Sequence, residues 1–270
     1  MITVLRECRP ALAAFGGLAL LLAGCGEPGE QTSSPSYGDW SASDGPIAAA
    51  VFHPERPAAD HDRDPERKPI EVLRFFGIAP GQTVFEFYAG GGWYSEILAR
   101  AVGPEGTLVL HNNPVFAEYF DEAFQERDLL RRFETVSYRP VTPGALDLDS
   151  GRFDRALVIL SYHDLLYPHE EGGQVPDRAR LLREIFEGLK PGGLLGVVDH
   201  AGPSDVPPRR AGEGLHRLDP QFLRYEAERA GFVFDGASDA LANLEDDHHS
   251  PIFELERGTT DRFVYRFRKP

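Results

Sequence analysis

Cysteine is nearly absent: the 270 residues hold two, Cys8 and Cys25. That rules out a disulfide framework of several bridges and a four-cysteine zinc site. Basic residues are also scarce, with 28 Lys and Arg against 43 Asp and Glu and a formal charge of −15. Such a surface repels phosphate backbones, so nucleic acid is not an expected partner, and solubility is the plain reading of the acidity. No internal repeat is visible, and no His-x-x-His pair is present. The longest apolar run, "ALAAFGGLALLLAG" from Ala11 to Gly24, is 14 residues long. A bilayer span needs about 20.

That run has another use. Arg6 and Arg9 precede it, and "LAGC" closes it at Cys25. A positive start, a short apolar stretch and small residues before the cut make a secretory signal. The small residues before Cys25 resemble a bacterial lipobox. The resemblance implies cleavage before Cys25 and lipid on its sulfur, and ordinary secretory cleavage or an uncleaved anchor are the alternatives. Cleavage there would remove Cys8 and leave Cys25 as the lone cysteine. Gly26, next to it, implies an outer-membrane destination, on the periplasmic face. Residues 26–46 are rich in Gly, Ser and Pro and read as a tether. The expected organisation is therefore a signal peptide at 1–24, a tether at 25–46, an N-terminal helical lid at 47–80 and a main domain at 81–270.

From Gly81 the pattern becomes regular. Strands are expected at "TVFEF" (83–87), "TLVLHN" (107–112), "ETVSY" (134–138), "FDRALVILSY" (153–162), "LLGVVDH" (194–200), "FVFDGA" (232–237) and "DRFVYRFRK" (261–269). Helices are expected at 93–102, 116–133, 177–189 and 219–231, with Asp219 as an N-cap. Another helix in the second half of 47–80 would bury Ile70, Val72, Leu73 and Phe76. Strand and helix alternate, and the apolar strands fit a doubly wound, mainly parallel sheet covered on both faces. The last strand can insert antiparallel beside the sixth. In open sheets of this kind ligands sit at the carboxyl ends of the strands, so the residues just after each strand carry the chemical interest.

Three stretches, in this order, are "IAPGQTVFEFYAGGGWYSEILARAVGPEGTLVL", "FDRALVILSYHDLL" and "LKPGGLLGVVDH". Together they resemble class I S-adenosylmethionine-dependent methyltransferases over roughly residues 65–269. More narrowly, the aromatic-x-Gly-Gly-Gly-Trp-Tyr loop, the Tyr-His-Asp turn and the "LHR" segment resemble a group of bacterial methyltransferases, many with signal peptides. The resemblance implies a Rossmann-like seven-stranded sheet with a reversed final hairpin. It also implies S-adenosylmethionine as cofactor and a small molecule as methyl acceptor.

The loop after the first strand is the expected cofactor site. Glu86 stands where the superfamily has an acid, Gly90 and Gly92 match its later glycines, and Gly91 adds freedom. Tyr88 replaces the first glycine, and its ring is expected to line the pocket. At the end of the second strand the superfamily places a carboxylate for the ribose. Here "HNNP" offers Asn112, which can bind a hydroxyl without charge assistance. Asn113-Pro114 can also simply start a helix.

The polar constellation lies further along. His163 and Asp164 follow the fourth strand, Asp199 and His200 end the fifth, and His216 with Arg217 precedes a helix. On the proposed sheet these segments converge. His163, neutral near its reference pKa of about 6.5, is the expected general base, and Asp164 orients it or binds substrate. The proposed reaction is methyl transfer to an O or N atom of a small molecule. A non-catalytic envelope ligand-binding protein and a metal-assisted hydrolase are the rivals, and no metal is assigned. The "DDHH" run at 246–249 reads as a solvated charge tract. Arg56, Arg63 and Arg67 can fold over the pocket and bind an acidic group, or form surface salt bridges.

Overall fold

The computed structural model describes residues 40–169 and 173–270. The signal segment, Cys25 and most of the tether lie outside the described residues. The sheet has seven strands: β1 Thr83–Phe87, β2 Thr107–Asn112, β3 Val136–Pro140, β4 Phe153–Ile159, β5 Leu189–His200, β6 Val233–Ser238 and β7 Arg262–Arg268. Their order is β3-β2-β1-β4-β5-β7-β6. The first five run parallel, and β7 inserts antiparallel between β5 and β6. The expected doubly wound sheet with a reversed final hairpin is therefore present.

Alternation along β1 builds the two faces. Val84 joins one apolar cluster, while Phe85 and Phe87 join the other. The first cluster takes in α1 (Pro46–Val51), α4 (Pro69–Phe75) and α5 (Trp93–Val102). The second takes in α9 (Arg178–Gly188) and α11 (Pro220–Arg229). Short helices α2 (Ala58–His61) and α3 (Asp64–Arg67) connect α1 to α4. Ile47, Ala48, Ala50 and Val51 are buried in the same cluster as α5, together with Ile70, Val72, Leu73 and Phe76. Trp40 also touches the domain: its Nε1 donates to Glu71 at 3.2 Å and its ring lies under Arg74 at 4.0 Å.

Two expected elements differ. The helix expected over 116–133 is three pieces, α6 (Pro114–Tyr119), α7 (Asp121–Arg127) and α8 (Leu129–Arg132), with α10 (Pro208–Arg210) a later short turn. Asp128, at φ 50°, takes the left-handed conformation that a helix cannot continue through. The fourth strand ends at Ile159, three residues early, because Leu160 is also left-handed at φ 55°. That turn swings His163 over the end of the neighbouring strand.

The connections leave β1 in one direction along the sheet and β4 in the other. The crevice between their carboxyl ends is the topological switch point, where open α/β sheets hold ligands. The glycine loop and the His163 turn both border it.

Candidate active site

The glycine loop joins β1 to α5. Gly90 (φ 56°) and Gly92 (φ 83°) are left-handed, which glycine adopts without steric cost. Gly92 is the N-cap of α5, whose first turn has no side-chain cap. Glu86 lies beneath the loop, fully enclosed, and accepts from Ser95 Oγ at 2.6 Å. Burial raises its pKa to about 7, partly opposed by the Ser95 bond and by Arg127. A half-ionised carboxyl below an uncapped helix start suits a ligand that carries both an ammonium and a carboxylate.

The other side of the loop is packed. A Cβ on Gly91 would meet Ala123 at 3.0 Å, and one on Gly92 would meet Arg127 at 3.0 Å and Leu129 at 3.1 Å. Arg127 reaches Gly91 O at 2.6 Å while pairing with Asp60 at 2.6 and 2.9 Å. These glycines therefore let α7 and α8 rest on the loop. That accounts for Gly91 and Gly92 without a ligand.

Asn112 is fully buried. Its Oδ1 accepts from Gly90 N–H at 2.9 Å, and its Nδ2 donates to Gly90 O at 3.1 Å. The amide expected to meet a ribose is spent on shaping the loop. Asn113 caps α6, accepting from Phe116 N–H at 2.6 Å, and donates to Tyr88 Oη at 2.8 Å. Tyr88 has φ 52° and stacks on Phe87 at 4.1 Å, with Phe116 at 4.5 Å. Burial pushes its hydroxyl pKa up. The ring is part of an aromatic stack that includes His111, 4.6 Å from Phe87.

The histidines converge as expected. Parallel pairing of β4 with β5 sets Ile159 beside Val198, so the turn after β4 meets the end of β5. Asp199, fully buried, accepts from His163 Nδ1 at 2.7 Å and from the His163 backbone N–H at 2.9 Å. His163 Nε2 faces Asp164 Oδ1 at 3.4 Å. The His216 ring stands 5.6 Å from the His163 ring at 83°, and the His200 ring 6.1 Å at 61°. Tyr167 donates to Asp164 Oδ1 at 2.7 Å and lies 3.4 Å from His216 Nδ1.

Electrostatics divides these rings. Burial disfavours charge on His163, but Asp199 and Asp164 outweigh it and raise the pKa to about 9. The ring expected to be the general base thus lies between two carboxylates that favour its charged form over its neutral one. Burial, joined by the His163 charge, lowers His216, and the same causes hold His200 well below 6.5. His200 is anchored by Thr260, with Nδ1 to Oγ1 at 2.8 Å.

The arginines part company. Arg56 is buried and locked on Asp64 by two 2.9 Å bonds. All three lie over the Trp93 ring, Arg56 at 5.3, Arg63 at 6.0 and Arg67 at 4.6 Å from its centre, but Arg63 and Arg67 lack the Asp64 lock. Their carboxylate contact is Glu66, at 3.6 and 4.0 Å, and Arg262 donates to the Glu66 backbone O at 2.6 Å. Burial, then Arg63, lowers the Arg67 pKa to about 10. Two guanidiniums thus share the Glu66 carboxylate, and a third holds the same residue's backbone carbonyl.

The 246–249 tract is not simply solvated. Asp246 pairs with the fully buried Arg217 at 2.7 and 2.9 Å, and His248 Nε2 meets Asp261 at 2.9 Å. Arg217 also donates to Ala201 O and Ser250 O, so this loop is held against the segment that delivers His216. Sequence reasoning missed Tyr167 and Ser95, whereas Asn113 starts a helix, one of the two uses open to Asn113-Pro114. Tyr167, four residues after His163, was within reach of a helical-spacing argument. Ser95 finds Glu86 across the glycine loop, and the Asn113 bond to Tyr88 crosses from the end of β2 to the end of β1, so no local spacing signals either contact.

No protein-family model matches the chain. The ubiquinone/menaquinone biosynthesis C-methyltransferase UbiE of Serratia proteamaculans (strain 568) is 27% identical over 164 residues, which cover 56% of this chain and 60% of that protein. The match thus spans less than two thirds of that relative's length. A SAM-dependent methyltransferase from Aquifex aeolicus superposes with a TM-score of 0.56 at 16% identity, covering 78% of this chain and 95% of that chain. Geranyl diphosphate C-methyltransferase from Streptomyces coelicolor A3(2) gives 0.54 at 16% identity, covering 84% and 90%. The fold is that of the class I methyltransferases.

Proposed function

We propose that this protein is an S-adenosylmethionine-dependent methyltransferase acting on an O or N atom of a small molecule. The carrying observation is the pairing, across one switch-point crevice, of the Glu86 loop with the His163 cluster. The residues fit the amino-acid end of the cofactor: Glu86 for its ammonium, and the uncapped start of α5 with Arg67 for its carboxylate. They do not supply the ribose carboxylate, and Asn112 is committed to Gly90. When bound, S-adenosylmethionine supplies an electrophilic methyl group on a sulfonium.

The chain's own task is alignment and exclusion of water. Trp93 and the arginines over its ring stand beside the start of α5, where they would shield the cofactor's amino-acid end. The His163, Asp164 and His216 cluster receives the acceptor. Its polar groups suit a hydroxyl or amine. Arg63, Arg67 and Arg262 favour an acceptor with an acidic group. Calorimetry of the full chain in detergent with S-adenosylmethionine and S-adenosylhomocysteine tests the reading. Binding of neither compound would sink it.

One observation favours a second reading. The Asn112 clamp and the lack of a ribose acid also fit a non-catalytic envelope protein that binds another ligand in this crevice. Binding of an acidic envelope metabolite without binding of S-adenosylmethionine would support that rival.

We also propose that the mature chain is an envelope lipoprotein anchored through Cys25, on the strength of "LAGC" after a short apolar run. Cys25→Ser should leave the precursor unprocessed by lipoprotein peptidase. Normal maturation and membrane fractionation of that variant would overturn the anchor.

A further inference from the structure

We propose that His163, Asp164 and His216 form a binding site for one divalent first-row transition-metal ion of the zinc, manganese, iron or cobalt type. Each offers one ligand atom, and the three atoms lie within 4.8 Å of one another. Two imidazoles and one carboxylate form a donor set for such ions, and leave coordination positions open. With bonds of about 2.0–2.1 Å, tetrahedral ligand atoms stand roughly 3.4 Å apart. Closure of the widest pair by roughly an ångström or more, within reach of side-chain rotation, therefore assembles the site.

The surroundings match what a metal site requires beyond its ligands. A ligating histidine is usually oriented by a carboxylate on its other nitrogen. Asp199 does this for His163 from a fully buried position, holding both Nδ1 and the backbone N–H, so that Nε2 is the nitrogen left facing Asp164. Tyr167 holds Asp164 Oδ1 at 2.7 Å. Phe253 packs on His216 at 4.7 Å and supplies an apolar wall.

The backbone bears a cost to bring His216 here. His216 is left-handed at φ 53°, a conformation that is strained in a non-glycine residue. Gly212 lets its turn press on the His163 turn: a Cβ there would meet His163 O at 2.7 Å and Leu166 Cβ at 2.8 Å. Strain and close approach that converge on one pair of rings are expected where the pair has a job. A hydrogen-bonded cluster alone does not need His216, which makes no bond to His163.

On the methyltransferase reading, the ion would hold and acidify an acceptor oxygen, a hydroxyl or a pair of adjacent ones. The ion's site itself does not depend on that reading. The full chain in detergent is stripped with chelator and titrated with Zn²⁺ and Mn²⁺ by calorimetry and with Co²⁺ by visible absorption. One ion per chain is expected. Asp164→Asn and His216→Ala should weaken binding at least about tenfold, and Asp199→Asn by about 10–100-fold through His163. His216 is half-exposed, so its variant is the safer one if Asp199→Asn fails to fold. A His248→Ala/His249→Ala chain should bind like the wild type. The site is overturned if no ion binds stoichiometrically, or if binding survives both ligand variants. Metal binding without S-adenosylmethionine binding would keep the site and sink the methyltransferase reading. The reverse result would sink the site alone.

Discussion

Asn112 holds Gly90 by both ends of its amide, accepting from the glycine N–H at 2.9 Å and donating to its carbonyl at 3.1 Å. A carboxylate of the same shape can do only the first. Asn112→Asp would therefore point an anion at a carbonyl in a fully buried place, although it installs the acid that the sequence resemblance leads one to expect. We expect a loss of about 1–3 kcal/mol in unfolding free energy, read from the denaturant midpoint. Calorimetry should show no gain in S-adenosylmethionine affinity. A variant of unchanged stability that binds more tightly would return Asn112 to the ribose.

Arg217 and Asp246 test the reading of the histidine-rich loop. Their side chains are essentially inaccessible, and the pair is bidentate. Removing one partner of a buried pair strands the other charge, at a typical cost of about 3–5 kcal/mol. Asp246→Asn should therefore lower the melting temperature sharply. A solvated tract would give almost no change.

Glu86 makes a pH prediction. Its folded pKa, about 7, stands above the ordinary 4.5 because of burial. Between pH 4.5 and 7 the unfolded chain ionises this group while the folded chain keeps the proton. Stability therefore falls as pH rises through that window, and the loss, on the order of 3 kcal/mol, persists above it. Glu86→Gln should thus stabilise the ligand-free protein at pH 8 and leave it unchanged near pH 4. The same variant should weaken S-adenosylmethionine binding and abolish a rise in affinity through pH 7. Unfolding curves at the two pH values decide the first claim. If the variant is equally destabilised at both, Glu86 is a structural carboxylate held by Ser95.

The fold was legible because β1, β2, β4 and β5 carry apolar runs separated by glycine, proline and helical segments, and "WYSEILARAV" is helical over the residues expected. The convergence of His163, Asp199 and His216 was legible too, since each closes or follows a strand of one sheet edge. What those side chains do once there was not. The protonation of His163 depends on Asp199, 36 residues away and one strand across. Asn112 and Gly90 are joined through the register of β1 and β2, which spacing alone does not reveal. The single helix expected over 116–133 failed at Asp128, where nothing in the apolar periodicity marks a left-handed residue.

Tyr88 is the residue that most separates a working loop from an altered one. It is strained at φ 52°, so glycine there would relieve about 1–2 kcal/mol. Against that, the ring stacks on Phe87 and Phe116, and its hydroxyl is the acceptor for a buried Asn113 amide. Losing a buried aromatic side chain costs about 3–5 kcal/mol. Packing wins, and Tyr88→Gly should be the less stable protein by about 1–4 kcal/mol. Tyr88→Phe isolates the hydroxyl: the Asn113 donor is left without its partner, for about 1 kcal/mol or more. Because the ring is committed to the interior stack, Tyr88→Phe should keep S-adenosylmethionine affinity within about threefold of wild type, a difference of about 0.7 kcal/mol. A tenfold loss in that variant, at unchanged fold by circular dichroism, would place the hydroxyl on the ligand and make Tyr88 a binding residue in its own right.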